Sequence, residues 1–479
     1  MSADTRVGRR SFLALAGAVV ALGVAGCTTR PRPESAPRPF VPTTAPVSPR
    51  AAVPGHGRFA TAVSADGRHI LDEDGLPLLG LADTVWTMPA TYSHDEQRRY
   101  FETRAEQGFT ALHVAAWPFH FRGDDLVEAC TDGVQPFVGG DITRWDETYW
   151  SRFDALLDLA AQHGITAYVG LMTTGFSLDL APGRARRYGE LLGARYSGRP
   201  NVVWLFGVDY AQQEWAGTDP SFLACLDGLR AAGDRHLATI QLANDDSTSS
   251  DNPAWDGRVD LQAAYTYRST DTVLRNAWRL GAGPVILVES NYEDENNEGG
   301  PPTTDATIRR QALWTFTSGG VHVAYGKRSV WRSEDLTVAG LRTTAAEQSA
   351  RVLAKMSSLE WHRLVPDVEG QVLVHGAGEQ TSRGTQRGGF ADPLESDHAT
   401  CAADPEHDLV VAYLPSARPV AVTLGTLGSA NPPEVEWWDP TTGASTAGVW
   451  AETLTPPAET HEGGHTDWLL VITRRAADR

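Results

Sequence analysis

Basic residues are scarce in this chain of 479 residues: 41 Lys and Arg stand against 60 Asp and Glu, a formal net charge of −19. A phosphate backbone or an anionic bilayer surface would be repelled by that balance, so nucleic acid is excluded as the main partner and neutral ligands stay open. Cysteine is rarer still, at four positions (Cys27, Cys130, Cys225 and Cys401), too few for a disulfide scaffold and without the close spacing of a zinc site. Neither a structural metal nor a cofactor is expected. No apolar run is long enough to stay in a bilayer as a permanent helix. The 41% hydrophobic and 21% charged content excludes disorder or a fibre for the bulk of the chain. At roughly 100–200 residues per domain, the length predicts two or three domains. What the chain does have is aromatic surface, with 15 Trp and 12 Tyr. Their flat faces and polar edges suit sugar rings as well as a core.

The first segment is an address label. Arg9 and Arg10 open the string GRRSFLALAG, and the apolar stretch that follows ends in Val24-Ala25-Gly26-Cys27. The paired arginines with Ser11, Phe12 and Leu13 resemble a twin-arginine export signal, and the last four residues resemble a lipobox in which Cys27 is lipidated. Residues 1–26 then form the signal peptide, and the only membrane contact is the lipid on Cys27. Removing that peptide deletes Arg6, Arg9, Arg10 and Asp4, a net +2, which takes the charge from −19 to −21. Residues 27–56 are Pro-rich and poor in large apolar side chains, which predicts an extended tether of about 3.1 Å per residue. With Cys27 carrying lipid, the three remaining cysteines allow at most one bridge.

From Thr61 onward, short β-rich runs alternate with helical stretches. Strands are expected at Leu76–Ala82, Ala111–Trp117, Thr166–Met172, Asn201–Gly207, Leu237–Leu242, Val259–Ala264, Pro284–Val288 and Gly320–Tyr325. Helical periodicity fills the gaps, as in His94–Gly108, Thr148–Gly164 and Arg184–Gly198, and a last helix is expected over Ala345–Leu359. Eight strands with seven crossovers predict a (β/α)₈ barrel over residues 57–362, with a small hairpin at Ala60–Gly75 ahead of it. An open doubly wound sheet is the alternative. It is disfavoured because GLADTVW follows the first strand where a Gly-rich phosphate loop would be needed. Past Pro366 the texture changes to short strands broken by Gly, Pro, Asp and Asn, which predicts an antiparallel β-sandwich over 366–479. Trp437 and Trp438 raise the alternative of a carbohydrate-binding module, but strand alternation buries one of them.

In a (β/α)₈ barrel the reactive groups stand at the C-terminal strand ends. Those ends hold Asp83 and Trp86, His113 to Trp117, Asp209, Gln241 to Asp245 with Asn244 among them, Tyr265, Glu289 and Tyr325. Asp209 ends NVVWLFGVD and Glu289 ends GPVILVE, each with no Lys or Arg close by in sequence. Strands four and seven lie across a barrel from each other. Two carboxyls facing one sugar are what glycoside hydrolysis requires, one protonated to release the leaving group and one ionised to attack or stabilise the anomeric carbon. Binding alone has no use for that pair, which sets the enzymatic reading above a lipid-anchored carbohydrate-binding or adhesion protein.

Several segments carry a resemblance to a known family: GLADTVW (Gly80–Trp86), RYSGRPNVVWLFGVD (Arg195–Asp209), PVILVESNYE (Pro284–Glu293), IRRQALWTFTSGGVHVAYGKRSVW (Ile308–Trp331), then VAYLP, WWDPTTG and DWLLVI. Together they resemble the apiosidase-like glycoside hydrolases and the small C-terminal β domain, labelled collagen-binding, that often follows them. The resemblance implies Asp209 as general acid/base and Glu289 as nucleophile of a retaining reaction, with Asp83, Trp86, Tyr292 and Tyr325 lining the sugar pocket. It also shows departures. Gln241 stands where such proteins commonly end the fifth strand in histidine, and QAAYTYR replaces a glycine and histidine after the sixth. Both positions should face the substrate, so the sugar is not carried over with the mechanism; nor is an oligomeric state.

Other constellations carry less. His113 alternates with apolar residues in ALHVAAW and reads equally as a core residue or a ligand contact, as does His322. YEDENNEGG lacks EF-hand spacing. Ser249 has no G-x-S-x-G around it, and DDSTSSDNPAWDG reads as a polar loop over the pocket.

Overall fold

The computed structural model describes residues 59–123, 125–172, 178, 180–243, 246–295, 302–380, 396–424, 432–458 and 460–474. The signal peptide, the tether, Cys27 and Asn244 lie outside the described residues.

The barrel strands are β1 (Gly80–Thr84), β2 (Ala111–Ala115), β3 (Thr166–Met172), β4 (Val202–Tyr210), β5 (Ala238–Leu242), β6 (Gln262–Tyr265), β7 (Val285–Glu289) and β8 (Gly320–Gly326). Nearly every residue in them is buried, because a parallel sheet wrapped in helices hides both of its faces. Hydrogen bonds link them in the order β5-β4-β3-β2-β1-β8-β7-β6, and the short strand Ser247–Thr248 pairs antiparallel with β6.

The ring closes between β5 and β6 through a laced seam. Asp260 N–H donates to the Ala238 carbonyl (2.8 Å), and the Thr239 hydroxyl to the Leu261 carbonyl (2.8 Å). The Ser249 hydroxyl then bridges the two strands, donating to the Ile240 carbonyl (2.7 Å) and accepting from Ala263 N–H (2.9 Å). Part of the expected polar loop therefore stitches the barrel shut.

Around the strands stand α1 (His94–Gln107), α2 (Glu147–Gln162), α3 (Pro182–Tyr196), α4 (Trp215–Ala231), α5 (Thr270–Leu280), α6 (Asp305–Thr317) and α7 (Thr344–Ser357). Local chemistry sets their ends. Ser93 and Glu96 form a reciprocal capping box at the start of α1, and Gly108 ends it in the left-handed conformation at φ 102°. The expected helical crossover between β5 and β6 is absent among the described residues. Two 3₁₀ turns, Ser249–Asp251 and Pro253–Trp255, take its place. Ser, Asp and Asn there bond the backbone locally and compete with a helix, and Pro253 denies it an amide donor. Ahead of the barrel, the expected hairpin is a three-stranded meander, Ala62–Val63, Ile70–Leu71 and Pro77–Leu78.

The C-terminal part is a six-stranded antiparallel sheet of β9 (Val365–Pro366), β10 (Thr400–Ala403), β11 (Leu409–Leu414), β12 (Glu434–Trp438), β13 (Ser445–Gly448) and β14 (Trp468–Thr473), in the order β9-β10-β11-β14-β12-β13. Val411, Tyr413, Trp438, Leu469 and Val471 join one apolar core with Leu313, Trp314 and Val352 of α6 and α7. The opposite face, with Trp437, Leu470 and Ile472, is covered by Leu373 and Val420 from a two-stranded ribbon and its flank. Both tryptophans are thus buried, one on each side, because the sheet is covered on both faces. Cys130, Cys225 and Cys401 are buried free thiols.

One buried ion pair ties the two parts together. Arg309 on α6 donates from Nε and Nη2 to the two carboxylate oxygens of Asp467, both at 2.9 Å, and neither side chain is more than 2% exposed. Removing one partner strands the other charge, so Asp467→Ala should cost about 3–5 kcal/mol, while replacing both with apolar residues (Arg309→Met, Asp467→Leu) should recover most of it. Urea unfolding of the full chain measures this. A loss under about 1 kcal/mol in Asp467→Ala would show that the interface does not depend on the pair.

Candidate active site

Strand β4 reaches its end through a conformation that ordinary side chains avoid. Gly207, Val208 and Asp209 lie at φ 84°, 62° and 55°. The pairing with β5 jumps from Gly207 opposite Gln241 to Tyr210 opposite Leu242, so Val208 and Asp209 form the bulge. A Cβ on Gly207 would stand 2.4 Å from the Gln241 carbonyl oxygen, which restricts that position to glycine. Left-handed geometry costs about 1–2 kcal/mol at a residue with a side chain, and a β-branched one such as Val208 adopts it rarely. Strain of this kind clusters at functional sites. Here it sits at the strand end where the sequence points to an acid.

Across the mouth, Glu289 ends β7. Its carboxylate accepts from Gln241 Nε2 (2.8 Å, on Oε2) and from the hydroxyls of Tyr265 (3.0 Å) and Tyr267 (3.2 Å), both on Oε1. The two tyrosine oxygens are themselves 2.7 Å apart. Burial, and after it the negative charge of Asp209, push Glu289 up to about 8, against the pull of those three donors. The charge of Asp209 therefore works against ionisation of Glu289, and the two carboxyls titrate as a pair. Burial and both carboxylates raise the tyrosine hydroxyls well above their ordinary value, so they remain donors. Gln241 is fully buried, and its Oε1 has no hydrogen-bond partner among the described residues.

Trp86 and Tyr292 complete the neighbourhood. The Trp86 indole N–H lies 3.4 Å from the Tyr292 hydroxyl, and the charge of Glu289 helps burial to raise that hydroxyl. Trp86 and Val208 both come up to Gly170 on β3, within 3.5 and 3.6 Å of where its Cβ would be. Asp209, Glu289, Gln241, Tyr265, Tyr292 and Trp86 are therefore gathered at one end of the barrel.

Other residues expected in the pocket lie elsewhere. Asp83 turns to α1, where Arg104 Nε (2.7 Å) and the Tyr100 hydroxyl (3.1 Å) hold its carboxylate at zero exposure. Tyr325 takes the same outer side, its ring under the Arg104 guanidinium and its hydroxyl bonded to Glu293. Strand alternation sends each away from the mouth, while Thr84 faces Tyr292. Trp117 packs against Phe137 and donates to the Tyr188 hydroxyl of α3 (2.9 Å). His113 lies in the barrel interior, 3.3 Å from His322 (Nε2 to Nε2) and against Tyr168; burial pushes it down to about 3, so it is neutral. Tyr267 is a site residue that reading the sequence passed over. Its signal was the Tyr-x-Tyr spacing, which puts residues 265 and 267 on one face of an extended chain.

Comparison with known proteins gives this geometry a family. A model described as "Apiosidase-like, catalytic domain" matches residues 64–365, and one described as "Putative collagen-binding domain of a collagenase" matches residues 390–473. No curated protein matches. A solved structure described as a glycoside hydrolase superposes with a TM-score of 0.69 at 18% identity, over 87% of this chain and 97% of that one. A glycoside hydrolase family 5 structure from Bacteroides vulgatus does so with a TM-score of 0.68 at 20% identity, over 87% of this chain and 93% of that one. At such identities the likeness to these two is one of fold. The catalytic-domain match spans well over half of the sequence, and on it the chain belongs to the apiosidase-like family and is a glycosidase.

Proposed function

We propose that this glycosidase works by a retaining double displacement, with Glu289 as nucleophile and Asp209 as general acid/base. The observation that carries the reading is the set of three donors on Glu289, facing a carboxyl held on a strained bulge. Donors favour the ionised form, so the single proton of the pair belongs on Asp209 in the reactive state. In the first step Glu289 bonds to the anomeric carbon as the glycosidic C–O bond breaks, and the Asp209 proton goes to the leaving oxygen. In the second, water attacks that carbon, its proton returns to Asp209, and the Glu289–carbon bond breaks. Trp86, Tyr292, Tyr265 and Gln241 would surround the sugar in this reading.

The substrate class is an oligosaccharide or polysaccharide of plant or microbial origin outside the cell. The family resemblance puts branched furanosides first among sugars to test. The N-terminal sequence supports export and anchoring through lipid on Cys27, with the Pro-rich segment as spacer.

Three measurements test these statements. With Asp209 ionised, Glu289 is held up to about 8, so kcat/KM should fall above about pH 8 as the last proton leaves the pair. In Asp209→Asn that alkaline limb should vanish, with kcat/KM on a poor leaving group down about 10²–10⁴-fold and kcat/KM on aryl glycosides much less affected. Full activity in Asp209→Asn or Glu289→Gln would remove that residue from the mechanism. Proton NMR of the first product formed should show the substrate's own anomeric configuration; the opposite configuration would replace retention by inversion. Expressed in its host, the native protein should partition into detergent, and Cys27→Ser should move it to the aqueous phase. Unchanged partition would sink the lipid anchor.

A further inference from the structure

Two of the groups around Glu289 stand on backbone that has left the sheet. Tyr267 lies beyond the last residue of β6, and Tyr292 beyond the last residue of β7, so neither is held by a strand ladder. A buried backbone that loses its ladder needs other partners. The Tyr292 carbonyl accepts from the Thr303 hydroxyl and Glu295 N–H, while Asn291 and the Tyr267 carbonyl find theirs in two buried amides. Gln311, on α6, grips Asn291 on both sides of its backbone: its Oε1 accepts from Asn291 N–H (3.1 Å) and its Nε2 donates to the Asn291 carbonyl (3.1 Å). The Asn291 side chain then joins the two loose segments. Its Nδ2 donates to Gln311 Oε1 (2.8 Å) and to the Tyr267 carbonyl (2.8 Å). Asn291 is 4% exposed and Gln311 2%.

We propose that Asn291 and Gln311 are positioning residues that set the Tyr267 hydroxyl on Glu289 and so keep the nucleophile in its reactive geometry. Neither amide bonds to the Glu289 carboxylate; both act through the backbone of the residues that face it. The inference rests on Glu289 being the nucleophile. The groups facing its carboxylate are Asp209 from β4, Gln241 from β5, Tyr265 and Tyr267 from β6 and its extension, and Tyr292 beyond β7. Of these, Tyr267 hangs from the amide clamp through its carbonyl. A displacement of about 1 Å in such a group is enough to cost about 10²-fold in rate.

The test uses the full chain with an aryl glycoside substrate. Asn291→Ala should lower kcat about 10- to 100-fold with KM within about threefold of wild type. Because a donor to the charged form of Glu289 is lost, the acid limb of kcat/KM should move to higher pH. In a Tyr267→Phe background, where that donor is already gone, adding Asn291→Ala should cost less than about twofold more. Wild-type kcat and an unmoved acid limb in Asn291→Ala, or losses that multiply in the double variant, would overturn the proposal. Should Asn291→Ala fail to fold, Gln311→Met removes the grip on Asn291 and is read by the same outcomes. Activity surviving in Glu289→Gln would instead overturn the parent reading; an inactive Glu289→Gln beside an unchanged Asn291→Ala would overturn this one alone.

Discussion

A carboxylate buried beside a second carboxyl is an unstable thing to build, and much of the barrel mouth is organised around making it tolerable. Glu289 has lost most of its water and faces the charge of Asp209. Three donors replace the lost hydration, and two of them are tyrosines whose own ionisation is suppressed by the same surroundings. The opposing acid is held on a bulge that glycine alone can begin, since the Gln241 carbonyl fills the space a Cβ would need. The same Gln241 donates from its side chain to Glu289. One residue of β5 therefore shapes both carboxyl positions, through its backbone on one side and its amide on the other.

Helix α6 connects this chemistry to the C-terminal sheet. Gln311 grips the segment beyond β7, while Arg309, Trp314 and Thr317 meet Asp467, the His398 carbonyl and Thr400 of the C-terminal part. The sheet buries one face on α6 and α7, so the barrel contributes a layer that a free-standing sandwich would have to supply from its own strands. Among the described residues, the second layer on the far side is a two-stranded ribbon and its flank. With both faces covered, Trp437 and Trp438, adjacent on one strand, are both hidden.

Most of the frame was readable in advance because parallel barrel strands are continuous apolar runs, and the helices between them carry their own stop signals in Gly108 and Gly164. The fifth crossover resisted, since DDSTSSDNPAWDG is polar enough to suggest a loop but says nothing of Ser249 closing the ring. Of the residues named from strand ends, Asp209, Glu289, Gln241 and Tyr265 come together while Asp83, Tyr325 and Trp117 face elsewhere, because a strand end names a height on the barrel and leaves the facing of each side chain to its register. Asn291 and Gln311 lie beyond a strand and on a helix, where no periodicity marks them.

The sequence by itself determined the order of strands and helices, the change of texture near Pro366 and the two acids at the ends of β4 and β7, because each is written in local pattern: apolar runs, caps, turn residues and a carboxyl following them. Which side chains meet was decided by the tertiary structure. Ring closure brings Gln241 and Glu289, 48 positions apart, to 2.8 Å, and docking of the C-terminal sheet on α6 pairs Arg309 with Asp467 across 158. Contacts at that separation depend on how the sheet curves and where the helices dock, and burial then raises the energies of charges that no stretch of neighbouring residues could perturb so far.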